Sequence, residues 1–154
     1  MSFLYEQQLK NIKKNLTAHN EMVKFRPAND NDIFYLKNCK IPESVLNYYE
    51  HAEPDDVVEI NDARIWPISV LKLENERMEP GSSAFKAGYF VIGTTIFGDC
   101  YCLNLNKTKN KTEPAVVLVY HERHKNFAVN NMQEVAKTFS EFLTLFSKGK
   151  LIVD

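Results

Sequence analysis

"YFVIGTTIFGDCYCLNLN", residues 89–106, holds two apolar runs rich in β-branched and aromatic residues, separated by Gly98-Asp99. Runs of that composition read as strands, and a Gly-Asp pair between them reads as a tight reversal. Alternate residues of a strand share a face. Cys100, Cys102, Asn104 and Asn106 therefore point one way, and Asp99, Tyr101, Leu103 and Leu105 the other. After the polar, hairpin-like loop "KTKNKTEP" comes "AVVLVYHE", the most strand-like segment of the chain, apolar on both faces until His121. A strand of that kind belongs in the middle of a covered sheet.

Helical patterns flank this centre. Leu4, Leu9, Ile12 and Leu16 recur at helical intervals in residues 3–16, with Lys10, Lys13 and Lys14 outside. Pro27 interrupts, and Asn29 or Asp30 caps a short helix carrying Ile33, Phe34 and Leu36. In "KIPESVLNYYEHA" Pro42 suits a first helical position, Glu43 favours the helix dipole, and Val45, Leu46 and Tyr49 share a face up to Pro54. "VVEI" reads as a short strand. "RIWPISVLKL" reads as a strand entering a turn at Pro67, then one helical turn, and residues 79–88 as a loop. At the C-terminus Asn131 and Glu134 form a near capping box. Met132, Val135, Ala136, Phe139, Leu143 and Phe146 follow helical spacing, and Gly149 ends the run. The order predicts an α+β fold: a central, mainly antiparallel sheet flanked by N-terminal helices and closed by a C-terminal helix, in a single domain over residues 1–154.

Composition narrows the function. A formal net charge of −1 gives no reason to expect a direct nucleic-acid or membrane partner. No apolar run reaches the ~20 residues a spanning helix needs, and the polar N-terminus lacks the apolar stretch of a signal peptide. An odd number of cysteines, three, favours a reduced, cytoplasmic protein.

Cys100 and Cys102 share a face, and His121 on the next strand could join them on a metal ion, with His124 beyond. The C-x-C and H-x-x-H spacings are not those of structural zinc sites. Two small buried core residues are the simpler reading. A nucleophilic thiol needs a base or a helix N-terminus, which mid-strand Cys100 and Cys102 lack; Cys39 lies in a linker-like stretch. No nucleophile elbow, phosphate-cradling loop or zinc-protease motif is present. The expectation is a protein that is not an enzyme and needs no cofactor.

Five segments together resemble the SMI1/KNR4 family of the SUKH superfamily. "IPESVLNYYEHA" resembles its Leu-Pro helix, and "WPISVLKLEN" the segment that follows. "YFVIGTTIFGDCYCLNLN" resembles its central hairpin, "PAVVLVYHE" the next strand and "VAKTFSEFLTLF" its closing helix. The resemblance runs from about Asn29 to Phe146. Departures are the stretch Asn38-Cys39-Lys40 before Ile41-Pro42, the stretch His51-Ala52-Glu53-Pro54 where Asn-Gly is usual, and Asn104 or Asn106 in place of Asp. The resemblance implies a non-catalytic binding module. In bacteria that means an immunity protein that neutralises a cognate toxin, often a nuclease; the alternative is a regulatory scaffold of the same fold, linked to cell-wall synthesis or signalling.

One charged stretch offers a binding surface. Glu50, Glu53, Asp55, Asp56, Glu59 and Asp62 occur between residues 50 and 62 without a Lys or Arg. They form either a solvated acidic loop or an acidic face that meets the basic cleft of a toxin. Trp66 just beyond is either core, beside Ile65 and Ile68, or an interface anchor. The basic stretches at 107–111 and 123–125 read as soluble loops rather than phosphate sites.

Overall fold

In a computed structural model the chain is described over residues 2–107, 113–121 and 132–153. The elements run α1 (Glu6–Ala18), β1 (Phe25–Arg26), α2 (Asp30–Asn38), α3 (Glu43–Ala52), β2 (Glu53–Pro54), β3 (Val58–Ile60), β4 (Ala63–Ile65), α4 (Ile68–Glu76) and α5 (Gly81–Lys86). They continue with β5 (Tyr89–Thr95), β6 (Cys100–Asn104), a 3₁₀ turn at Leu105–Lys107, β7 (Val116–Val119), β8 (Met132–Ala136) and α6 (Phe139–Ser147). Strands β3 to β8 form an antiparallel six-stranded sheet in sequence order, and β1 pairs with β2 separately. The expected α+β class is what the chain adopts.

Every residue of β5, β6 and β7 is buried, so both faces of the sheet centre are covered. On one face Phe90, Tyr101, Leu103 and Leu118 meet a layer of aromatic residues, Tyr5 and those of α3 and α6, with Ile12 and Leu16 of α1. There the Tyr101 and Phe142 rings are 5.5 Å apart, and those of Tyr5 and Phe139 5.2 Å. On the other face Cys100, Cys102, Val91, Val117 and Val119 pack with Ala84 of α5. The thiols are thus core residues, and desolvation pushes both well above the usual cysteine range.

The β5–β6 pairing shifts register between Val91 and Gly93. Val91 stands opposite Cys102 just before the shift, and β4 pairs with β5 only from Gly93 onward; buried Asn75 takes both the N–H and the C=O of Val91. Val91 N donates to Asn75 Oδ1 at 2.8 Å, and Asn75 Nδ2 donates to Val91 O at 3.1 Å and Leu71 O at 2.8 Å. One amide therefore fastens α4 to the middle of the sheet. Beside it β4 comes close: a Cβ on Gly93 would lie 2.5 Å from Arg64 O, so only glycine fits.

Three expectations about elements are corrected. The C-terminal helix begins at Phe139, and Met132–Ala136 is the edge strand β8. A register shift at Val116/Val117 turns the consecutive residues Val135 and Ala136 inward, which breaks alternation and imitates helical spacing. The cap is Thr138, whose side chain accepts from Glu141 N at 3.1 Å, while Glu141 Oε1 accepts from Lys137 N at 3.1 Å. Asn131 lies outside the described residues. Residues 79–88 are not simply a loop: Gly81–Lys86 is helix α5, with the Ser82 and Ser83 hydroxyls donating to the Glu79 carboxylate. Helix α4 is also longer than the expected single turn. Among the other expectations, Asn29 caps α2 through Asp32 N at 2.8 Å, but Phe34 is exposed.

Replacing Asn75 by Leu leaves the Val91 N–H and C=O buried without partners. At ~1–3 kcal/mol for an orphaned group, Asn75→Leu is expected to lower unfolding free energy by about 2–4 kcal/mol. Urea denaturation monitored by far-UV circular dichroism measures it.

Candidate functional site

The acidic residues do not all reach the surface. Asp55 and Asp56 are exposed and lead into β3; Glu59 is exposed at its centre; Asp62 stands, partly exposed, in the β3–β4 turn. The sheet order makes β3 an edge strand, so these four line one sheet edge. Glu50 is exposed in the last turn of α3.

Local geometry holds this edge in place. Lys24 N donates to Asp55 Oδ1 at 3.0 Å, and Asp55 N to Lys24 O at 2.9 Å. Val57 N donates to Asp56 Oδ1 at 2.7 Å. One oxygen of each aspartate is therefore fixed by backbone, and the other is left for solvent or a partner. Glu59 Oε1 accepts from Arg64 Nε at 2.7 Å across the β3–β4 pair. Asn61 and Asp62 have φ of 52° and 72°, the left-handed pair of a two-residue hairpin turn that Asn and Asp tolerate.

Glu53 is a correction. It is 3 % exposed, and its Oε2 accepts from Ile68 N at 2.8 Å, which satisfies an orphan donor at the start of α4. The chain needs an acceptor there because Pro67, at the cap, has no side-chain oxygen. Desolvation raises the Glu53 carboxyl above the ordinary glutamate range, against the opposing pull of the Ile68 bond. Glu53 is internal and cannot form part of an exposed acidic face.

Trp66 lies half-buried on the border. Its Nε1 donates to Thr94 Oγ1 at 2.8 Å, and Arg64 Cζ sits 6.0 Å from the ring centroid. The inner side of the ring borders the core beside Tyr49, Ile65 and Phe142. Trp66 is thus anchored inside and open to solvent at its edge.

The rival metal site is not assembled. His121 turns to Asp99: its Nδ1–H and backbone N–H donate to Asp99 Oδ1 at 2.7 and 3.0 Å. Among the described residues no group of three or more His, Cys, Asp or Glu is placed to hold a metal ion. His124, residues 123–125 and most of 107–111 lie outside the described residues. No described helix is long and apolar enough to cross a membrane.

Two residues escaped the sequence reading. Asn75 carries no local signal, since its partners are 16 residues away in β5. Glu113 accepts from Tyr5 OH at 3.1 Å, Ser140 N at 2.9 Å and Ser140 Oγ at 2.6 Å, tying the N-terminal segment to the start of α6.

Residues 31–145 match the SMI1 / KNR4 family (SUKH-1). The chain belongs to that family, whose domain is generally a non-catalytic binding fold. No curated protein matches the chain. The matched span includes the whole acidic edge and leaves α1 outside it.

Glu53 makes stability depend on pH in a stated direction. Its carboxyl is raised on folding, so its contribution is fully present below the unfolded glutamate value and is lost as pH rises through the folded value. Glu53→Gln keeps an acceptor for Ile68 N without the charge. The variant is expected to gain stability relative to wild type between pH 4 and pH 7 on the order of the linkage scale, measured by urea denaturation at both pH values.

Proposed function

We propose that this SMI1/KNR4 family member is a protein-binding module that neutralises a cognate protein toxin, and that its acidic sheet edge makes the contact. The reading rests on family membership. The observation that carries the site is the placement of Asp55, Asp56, Glu59 and Asp62 along one edge, with both aspartates held by backbone N–H groups. Carboxylates fixed before binding lose little freedom when a partner arrives. Their common sign steers a basic partner and speeds encounter. A nuclease toxin, whose cleft must attract phosphate, is a partner of that kind. Trp66 supplies an aromatic rim beside Glu59 and Arg64, and Glu50 adds charge from α3. Glu53 takes no part. Neutralisation needs no catalytic group in this chain; occupying the toxin's cleft is enough.

The test is growth rescue. The product of the gene immediately upstream is expressed in a sensitive host with and without this chain. Rescue supports the reading; an upstream product that is harmless, or toxicity that this chain does not relieve, contradicts it. With the toxin in hand, combined Asp55→Lys, Asp56→Lys and Glu59→Lys is expected to slow association at low salt by about tenfold or more. Thermal unfolding should fall only modestly, since the loss is one exposed ion pair of about 0–1 kcal/mol and two exposed side-chain-to-backbone hydrogen bonds of about 0.5–1.5 kcal/mol each. An unchanged association rate would remove the acidic edge from the contact.

A further inference from the structure

The backbone of β3 is as informative as its side chains. Its turn to β4 is the residue pair Asn61-Asp62, closed by Ile60 and Ala63. In such a turn the closing pair exchanges both ladder bonds, and so does the second pair beyond it, Val58 with Ile65. The pair between them, Glu59 with Arg64, does not. The N–H and C=O of Glu59 therefore face outward, away from β4, and no described residue outside the sheet bonds to them.

Upstream, the chain closes this outward side itself. Strand β1 pairs with β2, and the pairing continues to Asp55 N on Lys24 O. Val57 N is satisfied by Asp56. Beyond that point the segment before β1 leaves the sheet. A cleft of about 300 Å³ opens there, lined by Asn15, His19 and Glu21, by Glu59, Ile60 and Asn61, and by Lys148 and Gly149, whose carbonyl accepts from Asn61 Nδ2 at 2.7 Å. A strand edge with an unused donor and acceptor facing a cleft is a place where an extended segment adds to a sheet.

We infer that this cleft takes an extended segment of a protein partner, which pairs antiparallel with β3 and sets a Lys or Arg beside Glu59. In an antiparallel hydrogen-bonded pair, Glu59 exchanges both bonds with one guest residue, whose side chain lies on the same face as the Glu59 carboxylate. A cation fits that position through Glu59 Oε2, since Oε1 is already held by Arg64 Nε at 2.7 Å. A second copy of this chain fits less well: in the twofold register centred on Glu59 it sets Glu59 against Glu59, and like charges directly opposite are destabilising. The same glutamate on a short edge guards against self-association and selects a basic guest. The inference rests on the reading that the acidic edge binds a protein, and not on that protein being a toxin.

The experiment uses the full chain, labelled with ¹⁵N, and the capped peptide acetyl-Thr-Val-Lys-Val-Thr-amide. The peptide is expected to shift the Glu59 amide and slow its hydrogen exchange at peptide concentrations up to millimolar. N-methylation of the peptide's lysine nitrogen should weaken binding about tenfold, the loss of one net hydrogen bond. Replacing that lysine by glutamate should weaken it similarly, and Glu59→Lys should restore binding of the glutamate peptide. Three results would overturn the inference. One is a Glu59 amide that does not respond. Another is equal binding of the N-methylated peptide. The third is Glu59 protection that rises with protein concentration alone, which assigns the edge to a second copy. Toxin rescue is read separately, so a failed peptide test leaves the neutralisation reading standing and a failed rescue leaves the peptide test valid.

Discussion

The side-chain amide of Asn75 is the constraint on which the sheet depends. A strand buried on both faces must satisfy every backbone group internally, because no water can reach one that the ladder misses. Strand β5 has β4 beside it only from Gly93 onward, which leaves the backbone of Val91 without a strand partner on that side. Asn75, itself buried, closes the gap by matching one donor and one acceptor and anchors to its own helix through Leu71 O. The clamp stands where β4 ends, next to the shift that separates Val91 from Gly93, itself close to Arg64 O. Helix α4 is held against the sheet as a result, and its first N–H meets the carboxylate of Glu53.

That chain of contacts positions the acidic edge. Strand β4 rests on β5 at Gly93, and β3 hangs on β4 through a turn that places Asn61 and Asp62 in left-handed conformation. Glu53 sits inside, where it caps α4, and the chain emerges at Asp55 to run along the rim. One short sequence of acidic residues is thereby divided by function: a buried member that serves the fold and exposed members that face solvent. Between them β1 closes the outward side of the chain only as far as Asp55, which leaves the backbone groups of Glu59 directed outward while one oxygen of its carboxylate is held by Arg64.

The sequence displayed the centre of this fold more clearly than its margins. Strands β5, β6 and β7 were legible because continuous apolar runs on both faces have few other uses. Strand β8 was not, since Met132, Val135 and Ala136 stand at a spacing that a helix and a bulged strand share. Helix α5 was hidden by Gly81-Ser82-Ser83, residues of loop character that fold as helix where Gly81 meets Glu74 O. The acidic residues were visible in the chain, but Glu53 looked the same as its neighbours. Only the arrival of Ile68 N, 15 residues later, separates it from them. Asn75 gave no sign at all, because its role is set by a partner strand rather than by its own helix. Local pattern identifies which residues are apolar or charged; tertiary pairing decides which of the polar ones are already taken.

Hydrogen–deuterium exchange on the complex with the rescued toxin tests the central claim most directly. Slowed exchange confined to residues 55–62, with the Glu59 amide among the most protected, is the predicted result. Protection at α4 and α5, or at the opposite edge around β8, with residues 55–62 exchanging as in the free protein, would contradict it.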